Sequence, residues 1–172
     1  MSRAEVADYF REYLYGFMRS DIQRELDLAA SDHGGGNVLA ALGLVVYTEA
    51  LGRIRKRNRR RALYPGRTVY EQQFNVAFDI MGPRYRSWRK AFERREGMTV
   101  YKAFRHGFAH EYAPKVATKV VMFGAPRVAI VKRGRLYVLV VEAYLRDFMV
   151  AAKRIELELL KLKKPTIPPP DP

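Results

Sequence analysis

A chain of 172 residues without cysteine has the length of one domain, and it excludes disulfides, thiolate metal sites and cysteine nucleophiles. Its 32 Lys and Arg residues outnumber 18 Asp and Glu residues, and the resulting net charge of +14 indicates a polyanionic partner, nucleic acid above all. No apolar region follows Met1, and the longest apolar run, residues 38–47, is too short to cross a bilayer. We therefore expect a soluble, cytoplasmic protein without a membrane partner.

The first third of the chain predicts two helices. Residues 4–30 repeat apolar side chains with a helical period, which slips by one residue before Ile22. Ser20 could cap a helix, so a break at this residue is one interpretation of the slip. Residues 37–57 predict a second helix, and its first half is apolar on all sides, which is typical of a central helix surrounded by others.

A strongly basic run ends the second helix. Seven of the nine residues 53–61 are cations and none is acidic: Arg53, Arg55, Lys56, Arg57, Arg59, Arg60 and Arg61. Like charges at this density repel one another and need counter-ions, so we predict that the run contacts phosphates of a nucleic acid. The alternatives are a solvated helix face and, in a eukaryote, a nuclear localisation signal.

The middle of the chain predicts three further helices. Thr68 and Glu71 form a capping box that begins the third helix, Pro83 begins a fourth that ends at Gly97, and Thr99 caps a fifth. The fourth helix carries a second group of cations: Arg84, Arg86, Arg89, Lys90, Arg94 and Arg95. We predict nucleic-acid contacts for this group as well. Its Trp88 is either a core residue or a platform on which a base stacks.

The pattern changes after Pro114 to segments rich in Val, Ile and Tyr. Residues 116–123, 127–132 and 135–140 predict an antiparallel hairpin or a three-stranded antiparallel sheet inserted before the last helix, which spans about 142–162. Residues 138–141 lack polar alternation, so both faces of that strand are predicted to be covered; the sheet is then either a flap on the helices or a dimer interface. The prediction is a mainly α single domain over 1–162, followed by a Pro-rich tail over 163–172.

One segment, residues 104–112, combines Arg, His and Tyr at close spacing. On an unbroken helix Arg105 and His110 would lie about 140° apart, but a turn loosened at Gly107, or a helix end near His110, would let both face one groove. The alternative is a pair of helix-end side chains that bind carbonyls or a carboxylate. His106 and His110 also have the spacing of a metal-binding pair, although with three His and no Cys in the chain we expect neither a metal nor a cofactor.

This segment resembles the signature of the HEPN superfamily, Arg-x-x-x-x-His, here Arg105 to His110. The longer form Arg-x-x-x-x-His-x-Tyr of HEPN ribonuclease toxins is matched by Arg105, His110 and Tyr112. The resemblance implies a bundle of four to five helices, a homodimer and metal-independent RNA cleavage, with Arg105 and His110 as catalytic residues and His106 beside them in support. It further implies a nucleotidyltransferase antitoxin that modifies Tyr112. The alternative for Tyr112 is a phenol at the edge of the core.

The residue types suit this chemistry. The 2′-hydroxyl of RNA attacks the adjacent phosphorus once a neutral imidazole removes its proton, and an imidazolium returns a proton to the leaving 5′-oxygen. A guanidinium stabilises the negative charge of the transition state. Because one Arg and one His are a small set, a two-fold dimer is expected to supply a second copy. The hypotheses are therefore a HEPN-like endoribonuclease of toxin or defence type, a non-catalytic RNA- or nucleotide-binding module, and a basic structural or assembly protein with general nucleic-acid affinity.

Overall fold

Six helices and one three-stranded sheet make up the part of the chain described by a computed structural model, namely residues 1–31, 34, 36–58 and 64–167. Helix α1 covers residues 3–30 as three consecutive segments, α-helical Arg3–Tyr9, π-helical Phe10–Met18 and α-helical Arg19–Ala30. The following helices are α2 (Asn37–Arg57), α3 (Val69–Ile80), α4 (Pro83–Glu96), α5 (π-helical Tyr101–His106 and α-helical Gly107–Glu111) and α6 (Val141–Leu160). The strands are β1 (Thr118–Val121), β2 (Ile130–Arg133) and β3 (Leu136–Val140).

Helix α1 continues through Ser20, so the predicted break at this residue is wrong. The apolar side chains Val6, Phe10 and Leu14 are fully buried, and Ile22 begins the next buried stretch. A π-helical turn contains one residue more than an α-helical turn, so the segment Phe10–Met18 absorbs the slip in the apolar period. One face of α1 therefore stays on the core along its whole length.

Helix α2 occupies the centre of the bundle, as predicted, and packs against α1, α3 and α6. Gly52 permits the closest of these contacts, because a Cβ atom built there would lie 1.7 Å from the backbone carbonyl oxygen of Gln73 in α3. Among the described residues α2 is the one helix whose length and mean hydropathy, 1.3, would allow it to cross a membrane. It packs between other helices of the bundle, and 44% of this apolar window is buried inside the protein.

Local capping signals set the boundaries of the middle helices, as predicted. The hydroxyl of Thr68 accepts a hydrogen bond from the backbone of Glu71, whose carboxylate accepts one from the backbone of Thr68. Pro83 is the first residue of α4, and Gly97 ends it with φ of 65°. The Thr99 hydroxyl accepts a hydrogen bond from the backbone N–H of Lys102 at the start of α5.

The sheet has the order β1-β3-β2 and is mixed, so the prediction of three antiparallel strands is wrong. Strands β2 and β3 form the expected antiparallel hairpin, whereas β1 pairs with β3 in parallel. A gap one strand wide separates β1 from β2, and the segment between them is long enough to span it. Strand β3 then fills this gap and pairs with both earlier strands. The inner face of the sheet places Ile130, Tyr137 and Leu139 in the hydrophobic core.

Candidate functional site

The motif residues lie on the short helix α5, which is folded under the segment that follows it. Gly107 makes this possible, because a Cβ atom there would lie 2.6 Å from the carbonyl oxygen of Ala113. The backbone N–H of Lys115 donates to the carbonyl of Ala103 and ties the returning chain to the helix. Tyr112 ends α5 in the left-handed conformation, with φ of 56°.

Arg105 contacts Glu49 of α2, a residue that the sequence pattern did not single out. Its Nε atom lies 2.5 Å from Glu49 Oε2, and the two side chains are 21% and 12% exposed. The guanidinium also lies over the ring of Tyr101, 5.8 Å from its centroid. Burial, together with the charge of Glu49, raises the pKa of Tyr101, and the charge of Arg105 opposes this rise. Glu49 is the single acidic residue in the otherwise apolar and basic helix α2, a signal by which it could have been found.

His110 contacts His106 rather than Arg105. The centroids of the two imidazole rings lie 4.5 Å apart with an angle of 44° between their planes. His110 is exposed, whereas His106 is half-buried and its Nδ1 atom has no hydrogen-bond partner in the described part of the chain. Within one chain the structure therefore gives Arg105 and His110 different neighbours, Glu49 and His106. No group of three His, Asp or Glu residues suited to a metal ion occurs within residues 1–31, 34, 36–58 and 64–167.

Tyr112 is 77% exposed, so the interpretation of its phenol as an edge of the core is wrong. The left-handed backbone at Tyr112 ends α5 and turns the chain back along the helix, where the N–H of Lys115 donates to the carbonyl of Ala103. The hydroxyl of Tyr112 is accordingly open to solvent.

Helix α4 presents only some of its predicted cations to solvent. Arg89 is 5% exposed, so the prediction that it binds nucleic acid is wrong. Two of its guanidinium nitrogens donate to the two carboxylate oxygens of Asp79, each at 2.8 Å. Arg84, Arg86 and Lys90 remain exposed, although Arg86 lies 3.6 Å from Asp79.

Two further residues of α4 clarify this surface. Trp88 packs against the ring of Phe92 at 5.2 Å, which confirms the interpretation of Trp88 as a core residue. Lys90 and Arg94 border a surface depression of about 570 Å³ together with Arg67. The exposed cations of α4 thus form a stripe, with one turn of helix between successive side chains at positions 86, 90 and 94.

The basic run at the end of α2 is also divided by the fold. Arg55 forms two hydrogen bonds with Glu158 of α6, both 2.9 Å long, so the prediction that it contacts phosphate is wrong. Arg53 is half-buried, and its charge acts on Tyr9. Arg57 is exposed and Lys56 is half-buried. The predicted contacts of Arg59, Arg60 and Arg61 lie outside the described residues.

The C-terminal segment lies beside this basic run, which the sequence did not predict. The side chain of Asn58 donates to the carbonyl of Thr166 and accepts from its N–H, at 2.6 and 2.8 Å. Pro165 is buried, Ile167 packs against the core, and the amino group of Met1 donates to the Pro165 carbonyl at 3.2 Å. The contacts place cations from two distant parts of the chain at one end of the bundle. We call this group the basic pole: Lys56, Arg57, Lys161, Lys163 and Lys164.

The apolar run of β3 needs no second chain to cover it. Val138 and Val140 are 8% and 5% exposed within one chain. Gly124 lies against Val140, since a Cβ atom at this glycine would be 3.3 Å from Val140 Cγ1. One chain thus buries most of the surface of these valines, and the dimer-interface interpretation of residues 138–141 stays a prediction.

Comparison of the chain with protein-family models, with curated proteins and with solved structures finds no match.

Proposed function

We propose that this protein binds RNA through the basic pole and the exposed cations of α4. The observation that carries the proposal is the convergence of Lys163 and Lys164 with the end of α2, about 100 residues earlier in the chain. Beside the basic pole, the carboxylate of Glu158 pairs with Arg55. Within the described part of the chain, none of the five cations of the basic pole forms an ion pair with a carboxylate, so they are available for phosphates, which release counter-ions when they are neutralised.

The salt dependence of binding tests this proposal. The test variant replaces three cations of the pole with Gln: Arg57, Lys163 and Lys164. The matched control removes three cations that lie elsewhere: Arg11, Arg24 and Lys153. For a single-stranded RNA, the slope of log K against log salt should become shallower by about 2 in the test variant, at about 0.7 for each phosphate contact, and should stay unchanged in the control. Equal slopes in the two variants would show that net charge alone, and not the pole, holds RNA.

A metal-independent endoribonuclease activity at α5 is the second candidate function. The observation that favours it is the ion pair with Glu49, which holds the partly exposed guanidinium of Arg105 one residue before the His106–His110 pair. His110 would accept the proton of the 2′-hydroxyl, the bond from O2′ to phosphorus would form, and the bond to O5′ would break as a proton is returned to it. Arg105 would stabilise the charge that develops on the phosphoryl oxygens.

RNA incubated in EDTA with the wild type, His110→Ala and Arg105→Ala separates the candidate functions. The enzyme proposal requires the wild type to cleave and both variants to lose cleavage. Identical products from all three proteins would refute it, and RNA binding without cleavage by any of them would support a binding module. RNA affinity that does not depend on salt would contradict both and favour a structural protein, because phosphate contacts release counter-ions.

The resemblance to HEPN ribonuclease toxins remains part of this proposal. It would require a homodimer in the cytoplasm and a partner that modifies the exposed hydroxyl of Tyr112. Sedimentation of the purified protein at several concentrations tests the dimer directly, and a monomer at all of them would remove the composite cleavage site.

A further inference from the structure

The segment between Glu111 and Glu142, which contains the sheet, has an unusual charge. Residues 112–141 include six cations and no Asp or Glu: Lys115, Lys119, Arg127, Lys132, Arg133 and Arg135. Lys115 pairs with Glu111, and Lys132 pairs with Glu96 of α4. The other four have no acidic partner in the part of the chain that the structure describes. This concentration of unpaired positive charge attracts anions to the surface of the segment.

The outer face of the sheet forms a trough. Residues that are paired across strands place their side chains on the same face, and the register groups Lys119 with Val138 and Val131, and Val121 with Val140. A depression of about 490 Å³ is lined by this group together with Arg133 of the hairpin. Its floor is thus made of valines, whereas its cations stand on the two edge strands. We call this depression the sheet trough.

An exposed aromatic ring lines the sheet trough. Phe123 is 49% exposed and lies two residues after the end of β1. The loop that carries it is fixed at two points, because Gly124 N–H donates to the carboxylate of Glu142 at 3.2 Å, and Arg146 donates to the carbonyl of Pro126 at 3.4 Å. The backbone that follows Phe123 is therefore held beside the trough, which lowers the entropy cost of ordering this loop on binding.

We propose that the sheet trough binds an unpaired nucleotide of single-stranded RNA, with the base against Phe123 and the valine floor and the flanking phosphates on Lys119 and Arg133. A cationic groove with an aromatic side chain is the arrangement that holds single-stranded nucleic acid, because every base has a face that can stack while the backbone follows the charge. A duplex keeps its bases stacked inside and offers only phosphates. The inference rests on the proposed RNA binding and adds to it the strandedness of the substrate.

Fluorescence anisotropy with a labelled oligouridine and with a labelled duplex RNA tests the trough. The double variant Phe123→Ala with Lys119→Gln should bind oligouridine about fivefold more weakly or worse, and should bind the duplex nearly as well as the wild type does. The matched control is Phe17→Ala with Arg24→Gln, which removes an exposed aromatic ring and a cation from α1 and should change neither affinity. Equal losses in both variants, or no loss in the trough variant, would overturn the inference.

Photo-crosslinking of the wild-type protein gives a readout that does not depend on a variant. RNA that contains 4-thiouridine should crosslink to a peptide that includes Phe123, as identified by mass spectrometry. Crosslinks confined to the basic pole would overturn the trough while leaving RNA binding intact, and no binding of RNA by the wild type would overturn both proposals. Binding to phosphatidylglycerol vesicles that is lost in the trough variant, with oligouridine binding unchanged, would assign the trough to a membrane surface and overturn the inference as well.

Discussion

Replacement of Arg89 by Met should destabilise the folded protein strongly and leave its affinity for RNA unchanged. The sequence of α4 predicts a cationic helix face that includes Arg89, but Arg89 is buried and neutralises Asp79. The variant therefore separates two explanations of the same charge. If Arg89 stabilises the fold, the free energy of unfolding falls; if it contacts RNA, the affinity and its salt dependence fall.

The structure gives the magnitude of the expected effect. The side chains of Arg89 and Asp79 are 6% and 5% exposed and are joined by two hydrogen bonds. Without Arg89, the buried carboxylate keeps a hydrogen bond from the hydroxyl of Tyr64, at 2.8 Å, and a distant contact with Arg86. Removal of one partner of such a pair costs about 3–5 kcal/mol, a large part of the stability of a domain.

Urea denaturation followed by circular dichroism measures this loss, and Arg89→Lys provides a milder variant if Arg89→Met fails to fold. Lysine keeps the charge but lacks the two separate nitrogens that bind the two oxygens of Asp79 side by side, so it should cost some stability, though less than Met. The double variant Arg89→Met with Asp79→Leu should recover much of the stability, because an apolar pair leaves no charge buried without a partner. The reasoning is refuted if Arg89→Met costs less than about 1 kcal/mol, or if it weakens RNA binding at unchanged stability.

Three smaller predictions concern single sites and use the same denaturation assay. Gly52→Ala should lower the free energy of unfolding by about 3 kcal/mol, because the new Cβ would meet the backbone of α3. In the control Gly43→Ala the new Cβ would meet only the end of a flexible side chain, so the change should stay within about 1 kcal/mol. Similar losses in the two variants would contradict the close packing at Gly52. Burial favours the protonated form of Glu71, but hydrogen bonds, including one from Thr99, outweigh it and lower the pKa of Glu71 below 4.5. The charged form of Glu71 thus stabilises the fold above pH 4.5. Glu71→Gln should therefore lower the free energy of unfolding by about 1 kcal/mol at neutral pH, and by less as the pH falls below 4.5. A loss that does not change with pH would contradict this role of the carboxylate. Tyr112→Gly should change stability by less than about 1 kcal/mol, because the ring is exposed and φ is already positive; a larger loss would show that the ring packs against the chain.

The helix boundaries could be predicted because their causes are local. The capping box at Thr68 and the positions of Pro83 and Gly97 each depend on residues within one turn of the helix end. The order of the strands could not be predicted in this way, because it depends on where β3 enters after the chain has passed through β2. The slip in the apolar period of α1 was visible in the sequence, but a π-helical turn and a helix break both account for it.

The fate of each cation could not be predicted from the charge pattern, because acidic partners come from elsewhere in the chain. Arg55 and Arg57 are alike in the sequence, but the carboxylate of Glu158 on α6 binds Arg55 and leaves Arg57 exposed. A local count of cations therefore overestimates the surface that is available for a polyanion. The same count also misses cations that come from elsewhere in the chain. The contact between Asn58 and Thr166 brings the lysines of the C-terminal segment to the end of α2.

In helix α5, too, partners from elsewhere in the chain determine the surroundings of the motif residues. The sequence predicted that Arg105 and His110 would point apart on a regular helix and could face one groove if the helix loosened or ended near His110; α5 is π-helical up to His106 and ends at Glu111, one residue after His110. Each side chain has instead acquired a neighbour of its own, Glu49 for Arg105 and His106 for His110. Because the two side chains have different neighbours within one chain, the proposed cleavage site relies on a second copy of the chain to bring an Arg105 and a His110 to one phosphate. The proposed catalysis at α5 therefore depends on the proposed dimer, whereas the proposed RNA binding at the basic pole and in the sheet trough needs only one chain.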